Sequence, residues 1–519
     1  MGQQVEAAKL FPSRPYQPYA NFVGSAVAIS ENWAIVADYA AVAGGQAHFF
    51  RRSSDGWNFS QTMRGATSSR FGSGVAIDGN TAVIGAQVWD WGNTRRGKAY
   101  AYSLQNGQWS QTQQFLPANL NKYSLFGASV AVSEDVLVVG APGQNLVMPI
   151  GGEVLIYERV AGLWSLVKRF RLPRIPKTFS RDYRRLGWTV DVCGDVVVAG
   201  APGLTGGAFV YERGPSGWAR KTILEDPTPL LNDAFGKSVA ISGTTIVVGE
   251  PVTAGSNYRP GSAFVFEKDG GGVWSLDTEI SASDGFATFN FGDHFGVDVA
   301  IDGKRIFVGM PKGMITGFNT GTAYLFERGP NGWPTTETER MIIGKPLGTS
   351  DRLGGSVGIS SGFMIAGAIG APVGGVAKGA AFVFEVELGQ SFCANRPNST
   401  GNPARLTATG SVRVSDQDLT LSVRQCPKKR LGIFAMSSGR AHEPLGDGLL
   451  CLGTPMQRFL PPVVIGPGGH AFHDLDFGDP VVSGSLTAGS TWCFQFWYAD
   501  PAGGPAGSNL SNAIALTLE

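Results

Sequence analysis

Basic residues are concentrated in one short stretch of the sequence. Between Lys168 and Arg185 the chain reads KRFRLPRIPKTFSRDYRR, with eight Lys or Arg residues against one acidic residue, Asp182. Arginine forks bind carboxylates and sulfates through paired hydrogen bonds, and a tyrosine can stack on a sugar face. The stretch predicts an anion-binding surface, whose candidate ligand-binding residues are Arg174, Lys177, Arg181, Tyr183, Arg184 and Arg185.

A histidine beside an aspartate forms a second candidate. Asp293 and His294 lie in SDGFATFNFGDHFG, and we add both to the candidate ligand-binding residues. Histidine changes its charge near neutral pH and can move a proton. In an enzyme, His294 or Tyr183 would transfer the proton, while Arg184 or Arg185 would neutralise a substrate carboxylate.

The basic stretch also has a purely structural interpretation. It can be a solvated loop whose cations pair with neighbouring acids such as Glu225, Asp226 and Asp233. The sequence leaves both interpretations open.

Two overlapping Gly-x-Ser-x-Gly matches, Gly354–Gly358 and Gly358–Gly362, resemble the nucleophile pattern of hydrolases. That pattern requires a sharp turn from a strand into a helix. Both matches coincide with a strand that recurs elsewhere in the chain, so we expect no catalytic serine here.

These candidates lie on elements that are repeated along the chain. Segments such as FGASVAVSEDVLVVGAP recur seven times, with motif glycines 48 to 60 residues apart at positions 24, 72, 127, 187, 236, 296 and 354. A phosphate-binding loop needs to occur once, whereas self-similarity at this period is typical of propeller blades. The repeats therefore predict the blades of a propeller and not a phosphate-binding loop.

Each repeat contains four strand signals. An alternating strand follows the glycine, and a turn such as Asp78-Gly79 leads to a continuously apolar strand. A third strand begins at a glycine, and a fourth carries a tryptophan: Trp57, Trp109, Trp164, Trp218, Trp274 and Trp333. Because the seventh repeat lacks a fourth strand, we expect Gln4–Phe11 to pair beside the strand near Phe382 and close the ring.

FGASVAV followed by VVGAP resembles the FG-GAP repeats of integrin α-chain heads and of many secreted bacterial proteins. The resemblance covers roughly residues 23–387. It implies an all-β fold in which residues 1–387 form a seven-bladed β-propeller. The calcium loop Asp-x-Asp-x-Asp-Gly of integrin-type blades is missing from the sequence, so we expect neither a metal nor another cofactor.

Residues 388–519 lack the repeat and have short strand signals typical of a small β-sandwich. NSTGNPARLTATGS, GDGLLCLG and AGSTWCFQFWYADP resemble a C-terminal module of secreted proteins from planctomycetes and related bacteria. Four of the five cysteines lie here, and their even number predicts two disulfides with three possible connectivities among Cys393, Cys426, Cys451 and Cys493.

Composition indicates which classes of partner the protein binds and in which cellular compartment it works. Lys plus Arg number 42 against 41 Asp plus Glu, which disfavours nucleic acid. No apolar run is long enough to span a membrane. The first residues, MGQQVEAAKL, do not resemble a leader, so the chain is cytosolic or its leader has been removed; the predicted disulfides favour a secreted, extracellular protein.

Two functions from different classes remain. The first is a non-enzymatic binding or adhesion scaffold that presents propeller loops to a glycan or an extracellular surface protein. The second is a polysaccharide lyase acting on anionic polysaccharide, because ulvan lyases are similar in having a seven-bladed propeller with histidine, tyrosine and basic residues near the centre. His294, Tyr183, Arg184 and Arg185 are the candidate catalytic residues of this alternative.

Overall fold

A computed structural model describes residues 2–518 except 6, 13–21, 42–43, 54–55, 89–94, 144–150, 173–184, 204–205, 230–233, 252–260, 284–286, 289–290, 293, 312–313, 316–317, 330, 338, 343–350, 361, 374–375, 378, 386–387, 394–395, 411, 413, 415–418, 467–468 and 478–483. The described residues form strands and no helix. They divide into two compact units, Met1–Ile359 with Met364–Phe384, and Ser360–Phe363 with Glu385–Glu519.

The first unit begins with two short strands, β1 (Gly2–Val5) and β2 (Ala8–Leu10). The repeats then form antiparallel sheets, which we number in chain order. Sheet 1 holds β3 (Val27–Ser30), β4 (Trp33–Asp38), β5 (Gln46–Ser53) and β6 (Gly56–Arg64). Sheet 2 holds β7 (Phe71–Asp78), β8 (Thr81–Ala86), β9 (Lys98–Gln105) and β10 (Gln108–Phe115).

The next three sheets have the same order of strands. Sheet 3 holds β11 (Ser129–Ser133), β12 (Val136–Ala141), β13 (Glu153–Val160) and β14 (Leu163–Arg171). Sheet 4 holds β15 (Thr189–Cys193), β16 (Val196–Gly200), β17 (Ala208–Gly214) and β18 (Gly217–Leu224). Sheet 5 holds β19 (Ser238–Ser242), β20 (Thr245–Glu250), β21 (Ser262–Lys268) and β22 (Trp274–Ile280).

The last two sheets carry small hairpins in their loops. Before and within sheet 6 lie β23 (Ala287–Thr288), β24 (Phe291–Gly292), β27 (Met314–Ile315) and β28 (Phe318–Asn319). Sheet 6 itself holds β25 (Val299–Asp302), β26 (Arg305–Met310), β29 (Thr322–Glu327) and β30 (Glu339–Ile342). Sheet 7 holds β31 (Leu353–Ser360), β32 (Phe363–Ala368) and β35 (Ala380–Glu385), with the hairpin β33 (Pro372–Val373) and β34 (Val376–Ala377).

The N-terminal segment is shared between two sheets. Strand β2 pairs antiparallel with β35, placing Lys9 opposite Phe382, and buried Leu10 is 1% exposed. This is the pairing that the missing fourth strand predicts. The expectation of one continuous strand from Gln4 is wrong, because β1 instead runs parallel to β30, with Gln4 opposite Met341. The segment thus extends sheet 6 before it completes sheet 7.

Successive sheets meet through a recurring hydrogen bond. We count motif positions from the residue before the motif glycine, which is Phe or Leu in six repeats, as position 1. The hydroxyl at position 4 donates to the motif glycine carbonyl of the next sheet, from Ser129 to Gly187 at 2.9 Å and from Ser238 to Gly296 at 2.8 Å. Ser356 donates in the same way to Gly24 at 3.0 Å, which joins sheet 7 to sheet 1.

The first strands of sheets 1 to 6 also contact one another in succession. All of this is consistent with a β-propeller, and the closed ring of seven blades stays a prediction.

The third and fourth strands explain the recurring Tyr/Phe-Glu-Arg/Lys and tryptophan signals. The indole N–H of Trp218 donates to Glu158 of the preceding sheet at 2.8 Å, and Trp274 donates to Glu212 at 3.1 Å. The cation after each glutamate lies over the tryptophan of its own sheet, as Arg213 does over Trp218. The motif therefore fastens each sheet to its neighbour.

The second unit consists of two main sheets and a hairpin. Its strands are β36 (Gln390–Ser391), β37 (Arg405–Gly410), β38 (Leu419–Arg424), β39 (Leu431–Ser437), β40 (Arg440–Leu445), β41 (Gly448–Leu452), β42 (Gln457–Arg458), β43 (Val463–Val464), β44 (Ala471–Asp474), β45 (Thr491–Ala499) and β46 (Ser508–Thr517). The order β36-β46-β45-β39-β42 forms one sheet, with β43 also paired to β39, and β37-β38-β44 forms the other. Leu421 of one sheet and Phe434 and Phe496 of the other share a buried core.

One of the two predicted disulfides is present in this unit. Cys393 and Cys451 are bonded, with their Cα atoms 6.3 Å apart. The second predicted disulfide is wrong, because Cys426 and Cys493 are buried thiols. They occupy separate apolar clusters, where each fills space as a small apolar side chain.

Candidate anion-binding site

Each repeat enters its first strand through the same tight turn. The residue before position 1, which we call position 0, has a positive φ in six repeats: Arg70, Leu125, Arg185, Ala234, His294 and Arg352. Its carbonyl accepts the N–H of position 3, at 2.9 Å from Trp188 to Arg185 and at 3.0 Å from Lys237 to Ala234. The side chains at positions 0 and 3 are therefore held at the start of the first strand.

The glycine at position 2 makes this turn possible. Gly187 has a φ of +83°, and a Cβ there would lie 2.4 Å from the carbonyl oxygen of Glu153. The preceding Leu186 is fully buried and anchors the turn in the core between sheets 3 and 4. The scaffold thus fixes where the neighbouring side chains begin.

Sheets 4, 5 and 6 depart from the repeat at these positions. Position 3 is Ser25, Ser73, Ala128, Val297 and Gly355 in other repeats, but Trp188 and Lys237 in sheets 4 and 5. Position 6 is Ala or Gly in six repeats and Asp191 in sheet 4, while position 4 is Asp298 in sheet 6. Since the scaffold is satisfied by small residues, these four side chains are candidates for function.

Two cationic side chains at the strand entrances lie over one indole ring, that of Trp188. The Nζ of Lys237 lies 4.0 Å from the Trp188 ring centroid, and the Cζ of Arg185 lies 5.3 Å from it. We call Arg185, Trp188 and Lys237 the Trp188 cluster. Within the described residues, the ammonium group of Lys237 has neither a hydrogen-bond acceptor nor an ion-pair partner, although the side chain is half-buried.

Asp191 lies within β15, and Asp298 directly precedes β25; we call these two residues the acidic pair. Asp191 accepts the N–H of Ile241 from the next sheet at 2.8 Å and that of Val192 at 2.9 Å. Asp298 accepts the N–H of Val357, also from the next sheet, at 2.8 Å. Each carboxyl group therefore satisfies a backbone donor of a neighbouring first strand, which is a structural role in its own right.

Burial moves the pKa values of these groups toward neutrality. Burial and the nearby Arg185 lower the pKa of Lys237 to about 8, with Asp298 opposing the change. Burial raises the pKa of Asp298 to about 7 against its backbone hydrogen bonds; Asp191 adds to the rise, and Lys237 reduces it. Burial likewise raises the pKa of Asp191 to about 6, against its two backbone hydrogen bonds. The site changes its charge over the neutral range.

The arrangement is suited to holding an anion. Arg185 and Lys237 are like charges close enough to disturb each other, and a bound carboxylate or sulfate would relieve their repulsion. Guanidinium and ammonium groups together supply several N–H donors for such an anion.

The comparisons with known proteins concern the repeats. The family profile described as FG-GAP repeat matches residues 64–102, 109–157, 220–266 and 274–326. The chain carries FG-GAP repeats. Lys237 and Asp298 lie within matched FG-GAP segments, whereas Arg185, Trp188 and Asp191 lie between two of them. Aligning LGWTVDV of sheet 4 with FGASVAV would have exposed Trp188 and Asp191, which the predicted site lacked.

The crystal structure of Saccharomyces cerevisiae Sqt1 is similar at 12% identity and a TM-score of 0.38, covering 74% of this chain and 100% of that chain. No curated protein matches the sequence.

The structure describes only part of the basic stretch Lys168–Arg185. Arg185 belongs to the Trp188 cluster, whereas Arg174, Lys177, Arg181, Tyr183 and Arg184 lie outside the described residues. Arg169 and Arg171 pair with buried Glu153, at Nε–O distances of 3.3 and 2.9 Å. These two arginines are therefore part of the scaffold.

His294 occupies position 0 of the sixth repeat, the place that Arg185 holds in the fourth. It is half-buried, and its carbonyl accepts the N–H of Val297 at 3.2 Å. Asp293 lies outside the described residues. The residues at the corresponding position of the third and seventh repeats, Ser124 and Asp351, are buried. Ser124 donates to the carbonyl of Arg96 at 2.9 Å, and Asp351 is 2% exposed.

The remaining sequence candidates have structural explanations or find no support. Ser356 of the Gly-x-Ser-x-Gly pattern is buried in β31 and donates to Gly24, and its strand turns into another strand. In the parts of the chain that the structure describes, no three His, Cys, Asp or Glu side chains are grouped as metal ligands would be. None of the described segments is a helix of the length and apolarity that crosses a membrane.

Proposed function

We propose that this FG-GAP repeat protein is a secreted, non-enzymatic binding scaffold that recognises an anionic glycan, or an anionic patch on a surface protein, at the Trp188 cluster. The observation that carries the proposal is the half-buried ammonium of Lys237, which lies on Trp188 beside Arg185 and has no acceptor in the described residues. A half-buried ammonium that donates no hydrogen bond is stabilised by a ligand that supplies an acceptor.

Uronic-acid and sulfated glycans match this chemistry. Their carboxylate or sulfate groups accept paired hydrogen bonds from arginine, and their charge persists at neutral pH. The basic stretch ends at Arg185, so the remaining cations of residues 174–184 precede the cluster directly in sequence. A polyanionic chain gains from several such cations at once.

Secretion is supported by the cysteine chemistry. The second unit contains the Cys393–Cys451 disulfide, and such bonds form and persist in oxidising compartments.

Affinity chromatography on immobilised polygalacturonate and chondroitin sulfate tests the proposal. We expect retention that salt weakens, and we expect Lys237→Ala or Arg185→Ala to lower the affinity by about tenfold. The matched control is Lys221→Ala, because Lys221 is an exposed cation on the fourth strand of the same sheet as Arg185. Equal retention of Lys237→Ala and Lys221→Ala would contradict the proposed site.

A lyase acting on anionic polysaccharide is the second candidate, and the pKa of Lys237 favours it. A lysine with a pKa of about 8 has enough free amine near neutral pH to take a proton, and the neighbouring Arg185 could neutralise a uronate carboxylate. Incubation with polygalacturonate, followed by the ultraviolet absorbance of the unsaturated product, separates the two functions. Product that is lost in Lys237→Arg would establish the lyase, and retention without product would establish the scaffold.

A further inference from the structure

We propose that anion capture at the Trp188 cluster is coupled to proton uptake by the acidic pair, so that the scaffold binds its ligand more tightly at mildly acidic pH. This inference rests on the proposed function and adds its regulation. Its basis is the placement of two carboxyl groups on either side of the strand that follows Lys237. Asp191, in β15, bonds the Ile241 N–H of β19, and Ser238, directly after Lys237, bonds the carbonyl of Gly296, two residues before Asp298.

The acidic pair and the cluster interact electrostatically. Asp298 lies within electrostatic range of both Lys237 and Asp191, and Lys237 lies within range of Arg185. His294, at position 0 of sheet 6, is a further titratable group at these strand entrances. An anion bound at the cluster is therefore affected by the charge of Asp298 as well as by the two cations.

The carboxyl groups can accept protons without leaving their structural positions. Asp298 accepts the Val357 N–H through one oxygen, Oδ2, and Asp191 bonds the N–H groups of Val192 and Ile241. Both oxygens of a protonated carboxyl group keep a lone pair that can accept such a bond. Protonation therefore removes a negative charge near the cluster while the strands stay bonded.

The direction of the effect follows from the titration of these groups. At about pH 8 both carboxyl groups are ionised and Lys237 is half charged; at about pH 6 Asp298 is neutral and Lys237 is fully charged. Removing one like charge at close range and completing a cation strengthens anion binding by about tenfold. The charge of a uronate or of inorganic sulfate stays constant over this range, so the ligand does not contribute.

Isothermal titration calorimetry with trigalacturonate and with inorganic sulfate tests the coupling. We expect the affinity of the full chain to rise about tenfold from about pH 8 to about pH 6. We also expect proton uptake, measured in two buffers of different protonation enthalpy. Asp298→Asn keeps an oxygen for the Val357 N–H and should leave only the lysine's share of the pH dependence, about twofold. Lys237→Arg should remove the lysine's share of the pH dependence and leave the share that comes from Asp298.

Matched controls separate this inference from the proposed function. Asp277→Asn changes an exposed carboxylate on the outer strand β22 and should leave the pH dependence unchanged. Binding of either probe with the same affinity at both pH values would overturn the coupling while the binding site stands. No binding of either probe at any pH would overturn both the coupling and the proposed function. A steep pH dependence that persists in Asp298→Asn would show that another group takes up the protons and would overturn the coupling to Asp298.

Discussion

His48 shows how strongly burial acts on a single residue of the first repeat. Its side chain is 3% exposed in β5, and its Nδ1 lies 2.9 Å from the Thr62 hydroxyl. Burial, helped by Arg64, lowers the pKa of His48 to about 4. The histidine is therefore a neutral core residue, unlike Lys237 of the Trp188 cluster, whose pKa of about 8 lets its charge change near neutral pH.

His48 should make the fold sensitive to acid. Between about pH 6.5 and about pH 4 the unfolded chain binds the histidine proton and the folded chain does not, so the unfolding free energy falls as the pH falls. This contribution reaches about 3 kcal/mol. His48→Gln should reduce the decrease in the thermal midpoint that occurs as the pH is lowered. His442→Gln, at an exposed position, should leave that decrease unchanged. Parallel pH profiles for wild type and His48→Gln would show that His48 is not responsible.

Asp298 should act on stability with the opposite sign. Its pKa is raised in the folded protein, so the folded chain binds more protons than the unfolded chain between about pH 4 and about pH 7. Ionisation at higher pH is thus destabilising. At about pH 8, Asp298→Asn should raise the free energy of unfolding by about 1–3 kcal/mol and with it the thermal midpoint. At about pH 4 it should change both little. Equal effects at both pH values would rule out titration as the cause.

At the scale of the strands, the tryptophan–glutamate contacts hold successive sheets together. Glu212 accepts from the Trp274 indole and pairs with Lys268 at 3.0 Å. Sheet 1 lacks this acceptor, because Arg51 stands where sheets 3 to 6 have glutamate, and the indole N–H of Trp109 has no hydrogen-bond partner in the described structure.

This pattern gives a paired prediction. Glu212→Ala should cost about 1–3 kcal/mol by leaving the Trp274 N–H without an acceptor. Arg51→Glu should supply an acceptor to Trp109 and stabilise by about 1 kcal/mol. Denaturant unfolding monitored by tryptophan fluorescence measures both, with Asp277→Ala as an exposed control. A neutral Glu212→Ala variant would show that the contact is incidental.

The strands were largely predictable from the repeats, because a positive-φ glycine, an apolar run and a tryptophan each have a local cause. The pairing of β2 beside Phe382 followed from the missing fourth strand. Other features depend on contacts between distant segments, which a motif does not encode. These are the pairing of β1, the unpaired state of the thiols Cys426 and Cys493, and the position of Lys237 over Trp188. Cys193 illustrates the same limit: it stands at a position where four other repeats have serine, and its Sγ accepts the Gly243 N–H at 3.4 Å.

At the scale of the whole first unit, Leu10 tests the completion of sheet 7. Leu10→Ala should destabilise the protein by about 2–4 kcal/mol, because the residue is buried in the strand that pairs with β35. Leu116→Ala, at a side chain 45% exposed, is the control. Thermal unfolding compares the two, and equal, small effects would mean that the N-terminal strand does not complete the sheet in solution.

The hydrogen bond from Lys9 to the carbonyl of Pro372 spans 363 residues of sequence. During synthesis on the ribosome, the segment that is made first must wait until almost the entire first unit has emerged before its partner exists. Until then β35 is absent and Leu10 has no core to enter, so the nascent chain keeps an unsatisfied end. Sheet 7 is therefore the last sheet of the first unit that can be completed during synthesis.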